Sequence, residues 1–117
     1  MPNVPDLVLA SGDVAWATLA PVRGREQGGH RPVLVLSSSE YHDAVTTLVI
    51  VAPITSVDRG WPNHVRVDGP SGLDRPSWIM TEQPRTLSRD RLTSVSGHVS
   101  AETLRAVRTY ISDFLDL

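Results

Sequence analysis

The sequence predicts a mainly β (α+β) fold, a strand-rich barrel closed by one C-terminal helix. Three observations predict it. Short apolar or alternating runs recur along the chain, separated by glycine, proline and asparagine. Only the C-terminal stretch carries a helical period. At 117 residues without an internal repeat, the chain makes one compact domain.

The elements follow in order. Residues 1–11, with Pro2 and Pro5 and no clear period, read as a flexible or loosely docked arm, and 12–117 as the single domain. Residues 13–19 alternate roughly, with Val14, Trp16 and Leu19 facing inward on a first strand. A glycine-rich loop, 23–30, comes next. Residues 32–37 form a short, branched, nearly continuous apolar run, which is a buried strand; Pro32 is tolerable as its first residue. Residues 38–43 suffice for one helical turn. Residues 48–55 are the third strand, 57–63 a loop, 64–67 an alternating strand, 70–73 a turn and 77–81 a further strand, with a last short one within 92–99. Trp16 and Trp78 are expected in the core. Ser100 caps the helix and Glu102 favours its positive end. Leu104, Val107, Ile111 and Leu115 share one helical face, beside Tyr110 and Phe114, and read as core.

Composition excludes several functions. A net charge of −2 rules out a basic coat that binds nucleic acid at large. All 11 basic residues are arginine, which reflects a compositional bias or suits bidentate phosphate contacts and base stacking. With no cysteine there are no disulfides, thiol catalysis or sulfur-ligated metals. No apolar run approaches the ~20 residues of a membrane span, and no charged-then-apolar leader opens the chain, so the cytoplasm is expected. His30, His42, His64 and His98 match no standard zinc spacing; no metal or cofactor is expected.

The order of motifs resembles the MazF/PemK family of toxin endoribonucleases. The matching pieces are Gly12-Asp13-Val14, Pro21 with the loop from Gly24 to Pro32, Val33-Leu34-Val35-Leu36-Ser37, and Val51-Ala52-Pro53-Ile54-Thr55-Ser56. Further on come Gly72-Leu73, Glu82-Gln83-Pro84-Arg85-Thr86-Leu87, Arg91-Leu92 and Gly97. The resemblance implies an SH3-like, CcdB-like antiparallel barrel that forms a homodimer. It also implies sequence-specific, metal-independent cleavage of single-stranded RNA and inhibition by a cognate MazE-like antitoxin. Such an antitoxin would lay a disordered, acidic and apolar tail over the RNA groove.

Cleaving RNA without a metal recruits the neighbouring 2′-OH and leaves a 2′,3′-cyclic phosphate. It needs a base, a proton source and positive charge at phosphorus. Arg31, held extended by the following Pro32, suits the phosphate with five N–H donors. Family members use this arginine in catalysis. Glu26 is the base by chemistry, or else pairs with Arg25 or Arg31 and orients it. Thr55 is by itself a structural strand end; the family match makes its hydroxyl a phosphate donor or a positioner of Arg31. Arg25, Gln27, Ser56, Arg59, Trp61, Glu82 and Arg85 are expected to bind substrate. Trp61 either stacks a base or folds down as a core or dimer residue.

Two departures stand out. Arg25 occupies a position that is commonly serine or histidine in relatives, and Met80 one that is arginine in some. Arg25 either restores the cation lost at Met80 or alters sequence preference. Two other functions compete with cleavage. One is a CcdB-like toxin that binds DNA gyrase, which needs a Trp-Gly-Ile type of ending where this chain has Asp113-Phe114-Leu115-Asp116-Leu117. The other is a catalytically inactive SH3-like binding module, which an intact Arg31/Thr55 pair argues against and the Arg25 and Met80 departures keep open.

Overall fold

The computed structural model describes residues 7–19 and 29–117. Among the described residues, seven strands and two α-helices run β1 (Asp13–Leu19), β2 (Gly29–Val35), α1 (Ser39–Ala44), β3 (Leu48–Thr55), β4 (His64–Arg66), β5 (Trp78–Met80), β6 (Arg85–Ser88), β7 (Leu92–His98) and α2 (Ala101–Leu115), with a 3-10 turn, Arg89–Arg91, between β6 and β7. All pairings are antiparallel, in the order β4-β5-β3-β2-β1-β7, with β6 also on β3. The mainly β fold with a C-terminal helix is as the sequence predicts. The barrel is open, because β4 and β7 end the sheet without pairing to each other.

β3 organises the site. One of its edges pairs with β2, from Val33↔Pro53 to Val35↔Val51. Its other edge is shared: β6 takes Leu48 to Val51, and β5 takes Ile54 and Thr55. β2 starts at Gly29, three residues before the expected Pro32, and its first half pairs only with β1, through Trp16↔Pro32, Ala17↔Arg31 and Thr18↔His30. A proline is tolerated inside this half-strand because one of its edges carries no ladder. Arg31 therefore lies on a strand, opposite Ala17, rather than in the loop where it was expected.

The apolar runs of β1–β3 are continuous because both faces are covered. Ala15, Ala17, Val33, Val35, Val49, Val51, Leu87 and Leu92 fill one core. Val14, Leu34, Ala52, Ile54 and Ile79 fill another, beneath Val107 of α2. Two expectations are corrected here. Trp16 is only half-buried, while its neighbours Ala15 and Ala17 are fully buried, and Trp78 is also only half-buried. In α2 the inward stripe ends at Ile111, and Phe114 and Leu115 are exposed. Ser100 caps α2 as expected, its Oγ accepting the amide of Thr103 at 3.1 Å.

The described part of the predicted arm is tied to the domain. Leu9 is buried in the first core. His42 Nδ1 donates to the Leu9 carbonyl at 3.1 Å, and Arg89 donates to that of Leu7. Residues 1–6 lie outside the described residues. Gly97 of β7 meets the 70–71 backbone so closely that a Cβ would stand 2.1 Å from the Pro70 carbonyl oxygen, so no larger residue fits. No helix among the described residues is long and apolar enough to cross a membrane.

Candidate active site

Two clefts meet at Arg31. The first, of about 540 Å³, is lined by Arg31, Thr55, Ser56, Arg75, Trp16 and His30 among others. Thr55 reaches it because β3 ends there, opposite Trp78 of β5. Its Oγ1 accepts the Val57 amide at 3.1 Å, which fixes the oxygen and leaves the hydroxyl proton to donate. Opposite, the His30 ring tilts against Trp16 with centroids 5.2 Å apart, and His30 Nε2 lies 2.5 Å from Thr93 Oγ1. The Trp16 and His30 side chains form one wall of the cleft.

The second cleft, of about 490 Å³, is lined by Arg31, Arg59, Trp61, Met80, Glu82 and Gln83, with His64 at its base. Trp61 is 48% exposed, and its ring lies 4.8 Å from that of His64. This exposure rules out burial of Trp61 in the core of its own chain. Arg59 Nη1 stands 4.0 Å from Met80 Sδ, which lays its guanidinium along that side chain.

Glu82 is the hub of this cleft. His64 Nε2 donates to both carboxylate oxygens at 3.1 Å. Asn63 Nδ2 donates to Oε1 at 2.8 Å, and Gln83 Nε2 donates to Oε2 at 3.2 Å. Burial works against its ionisation, but donation from its own backbone amide, His64 and Gln83 prevails and holds the carboxyl below the usual carboxylate range. His64 itself is buried, and its Nδ1 has no hydrogen-bond partner among the described residues. Thr81 closes the cluster, donating to the Asn63 carbonyl at 2.8 Å.

The structure therefore brings Arg31, Thr55 and Ser56 to one cleft and Arg31, Arg59, Trp61 and Glu82 to its neighbour. Arg85 is exposed on β6 opposite Val51 and lines neither cleft. Glu26, Arg25 and Gln27 lie outside the described residues. Sequence reasoning missed Arg75, Gln83 and the packing of His64; for Gln83 the signal was its place beside Glu82 in the Glu82-Gln83-Pro84 motif. Among the described residues, no group of three or more His, Asp or Glu side chains is placed to hold a metal ion.

Residues 10–115 match the family model described as PemK-like, MazF-like toxin of type II toxin-antitoxin system. The chain is 36% identical over 103 residues to endoribonuclease EndoA of Bacillus subtilis, covering 86% of this chain and 89% of that one. Among solved structures, MazF from Deinococcus radiodurans superposes with a TM-score of 0.80 at 32% identity, covering 96% of this chain and 100% of that one. The MazE–MazF structure from the same organism also gives 0.80 at 32% identity, covering 96% and 99%.

Proposed function

Because this chain belongs to the PemK-like, MazF-like toxin family, we propose that it is a toxin endoribonuclease that cuts single-stranded RNA sequence-specifically, without a metal, through the 2′-OH beside the scissile phosphate. The observation that carries this reading is the position of Arg31 as the shared wall of two clefts. One offers a hydroxyl and a second arginine to a phosphate. The other offers an aromatic face and one side-chain amide to a base.

The chemistry follows from those groups. A base takes the 2′-OH proton, and the 2′-oxygen attacks phosphorus. The P–O5′ bond breaks, and the leaving 5′-oxygen takes a proton from solvent water, which recovers it from the protonated base, giving a 2′,3′-cyclic phosphate and a 5′-OH. Arg31 neutralises the charge that builds on the non-bridging oxygens, and Thr55 donates a hydrogen bond to the same group. Guanidinium surrenders a proton only with great difficulty, so Arg31 acts by charge rather than as the acid. Glu26 is assigned as the base on sequence grounds, and Arg25 and Gln27 as RNA contacts from the same loop. Ser56, Arg59, Trp61 and Glu82 contribute to substrate binding from the two clefts, and Arg85 at the strand edge beyond them.

As a family toxin the chain works as a cytoplasmic homodimer and is restrained by a cognate antitoxin, as the neighbour solved as MazE–MazF suggests. An acidic, apolar antitoxin tail competes with RNA for Arg31 and Arg59. Incubating the purified protein with a long defined RNA, with and without EDTA, tests the proposal. EDTA-resistant cuts at one recurring sequence support it; intact RNA under every condition rejects it.

A further inference from the structure

A carboxylate can only accept hydrogen bonds, so any amide atom at hydrogen-bond distance from Glu82 must be nitrogen. That condition fixes which way two side-chain amides point. Gln83 turns its Nε2 to Glu82 Oε2 at 3.2 Å, with Met80 Sδ 3.8 Å away. Asn63 commits its Nδ2 to Glu82 Oε1 at 2.8 Å and to Thr81 Oγ1 at 3.2 Å. The donors of both amides are used inside the cluster. For Gln83, which is exposed, the side-chain carbonyl oxygen is left to face a ligand. With His64 Nε2 donating to its two oxygens as well, Glu82 already receives three side-chain donors of the protein.

Given the RNA-cutting reading above, on which this rests, we propose that Gln83 is a specificity-determining residue whose carbonyl, aimed by Glu82, accepts from the exocyclic amino group of a base stacked on Trp61. Glu82 and His64 are positioning residues: Glu82 sets the polarity of the amide, and His64 carries the Trp61 ring and anchors the carboxylate. The site takes adenine, cytosine or guanine, each of which presents an amino group at a ring corner. It disfavours uracil, whose single N–H lies between two carbonyl oxygens that would face the Gln83 oxygen with like polarity. Arg59, lying along Met80 in the same cleft, adds a donor beside the acceptor.

The test replaces each base flanking the mapped cut, one at a time, with its desamino analogue: inosine for guanosine, purine riboside for adenosine and 2-pyrimidinone riboside for cytidine. With the unmodified protein, one position is expected to lose about tenfold in kcat/KM, the worth of one hydrogen bond. In Gln83→Met, which keeps the length of the side chain without the carbonyl, the amino and desamino RNAs become equivalent at that position. Cleavage that is indifferent to the amino group at every position overturns the inference while the activity stands. So does discrimination that persists in Gln83→Met. If no RNA is cut, the proposed activity fails and the inference is read from binding of the same RNAs by fluorescence anisotropy, where equal affinity throughout overturns it and a tenfold difference abolished by Gln83→Met supports it.

Discussion

His64 is held against Glu82 through a single ring nitrogen, Nε2, which stands 3.1 Å from both carboxylate oxygens while Nδ1 is buried without a hydrogen-bond partner among the described residues. Removing the carboxylate leaves a buried ring with neither nitrogen bonded within this cluster. Glu82→Ala is therefore expected to destabilise the fold by about 1–3 kcal/mol in urea unfolding at neutral pH. An unchanged unfolding midpoint would show that the clamp is energetically idle.

The same pair gives a pH dependence with a definite sign. The folded-state pKa of Glu82 is lowered, so its stabilising contribution is complete above the unfolded glutamate value of about 4.3 and fades as pH falls through the lower folded value. The stability gap between the unmodified protein and Glu82→Gln should narrow as the pH falls below that range. A gap that widens below it contradicts the assignment.

Trp61 is half exposed and rests on one ring, so its loss should cost binding more than stability. Trp61→Ala is expected to weaken binding of a non-cleavable RNA by about 1–3 kcal/mol in fluorescence anisotropy. Its melting temperature should stay within a few degrees of the unmodified protein. Unchanged affinity would mean that the second cleft does not hold a base.

Gly97 offers a test of the frame around the site. A Cβ there would stand 2.1 Å from Pro70 O and 2.7 Å from Ser71 C, both backbone atoms that cannot rotate away. Gly97→Ala should cost about 3 kcal/mol through overpacking, measured by thermal unfolding. Gly60 has open space where a Cβ would stand, with no atom within 4 Å, but its φ is +72°. Only the backbone conformation opposes a side chain there, so Gly60→Ala should cost about 1 kcal/mol.

The legible parts of the chain are those where local pattern and tertiary environment agree. β1 and β3 begin and end where their apolar runs do, and Ser100 caps α2 through its own side chain. β6 was not legible as a strand: Arg85-Thr86-Leu87-Ser88 has one apolar residue, and it is extended because β3 offers a free edge from Leu48 to Val51. Pro32 looked like a strand start because a proline cannot sit in a two-sided ladder, whereas here only one side is paired. At the site, Arg31 and Thr55 were readable from motif order. The joining of Asn63, His64 and Gln83 around Glu82 was not, since it depends on β4 and β5 pairing so that His64 faces Met80.

Arg31 carries the proposed chemistry on the protein side. Arg31→Ala is expected to lower kcat by about 10²–10³, as for other donors aimed at developing charge, with little change in the circular dichroism spectrum. Arg31→Lys should not restore it, because an ammonium cannot span two phosphate oxygens as a guanidinium does. Activity within a few-fold of the unmodified protein in both variants would move the chemistry elsewhere.

Attack by the 2′-OH is open to a direct experiment with two RNAs that are identical except for one 2′-deoxy substitution at the nucleotide 5′ of the mapped cut, each incubated with the protein in EDTA. The all-ribose RNA is expected to be cut to a 2′,3′-cyclic phosphate and a 5′-OH, and the 2′-deoxy RNA to stay intact at that position. Equal cutting of both RNAs, or cutting that EDTA abolishes, would contradict the proposed chemistry.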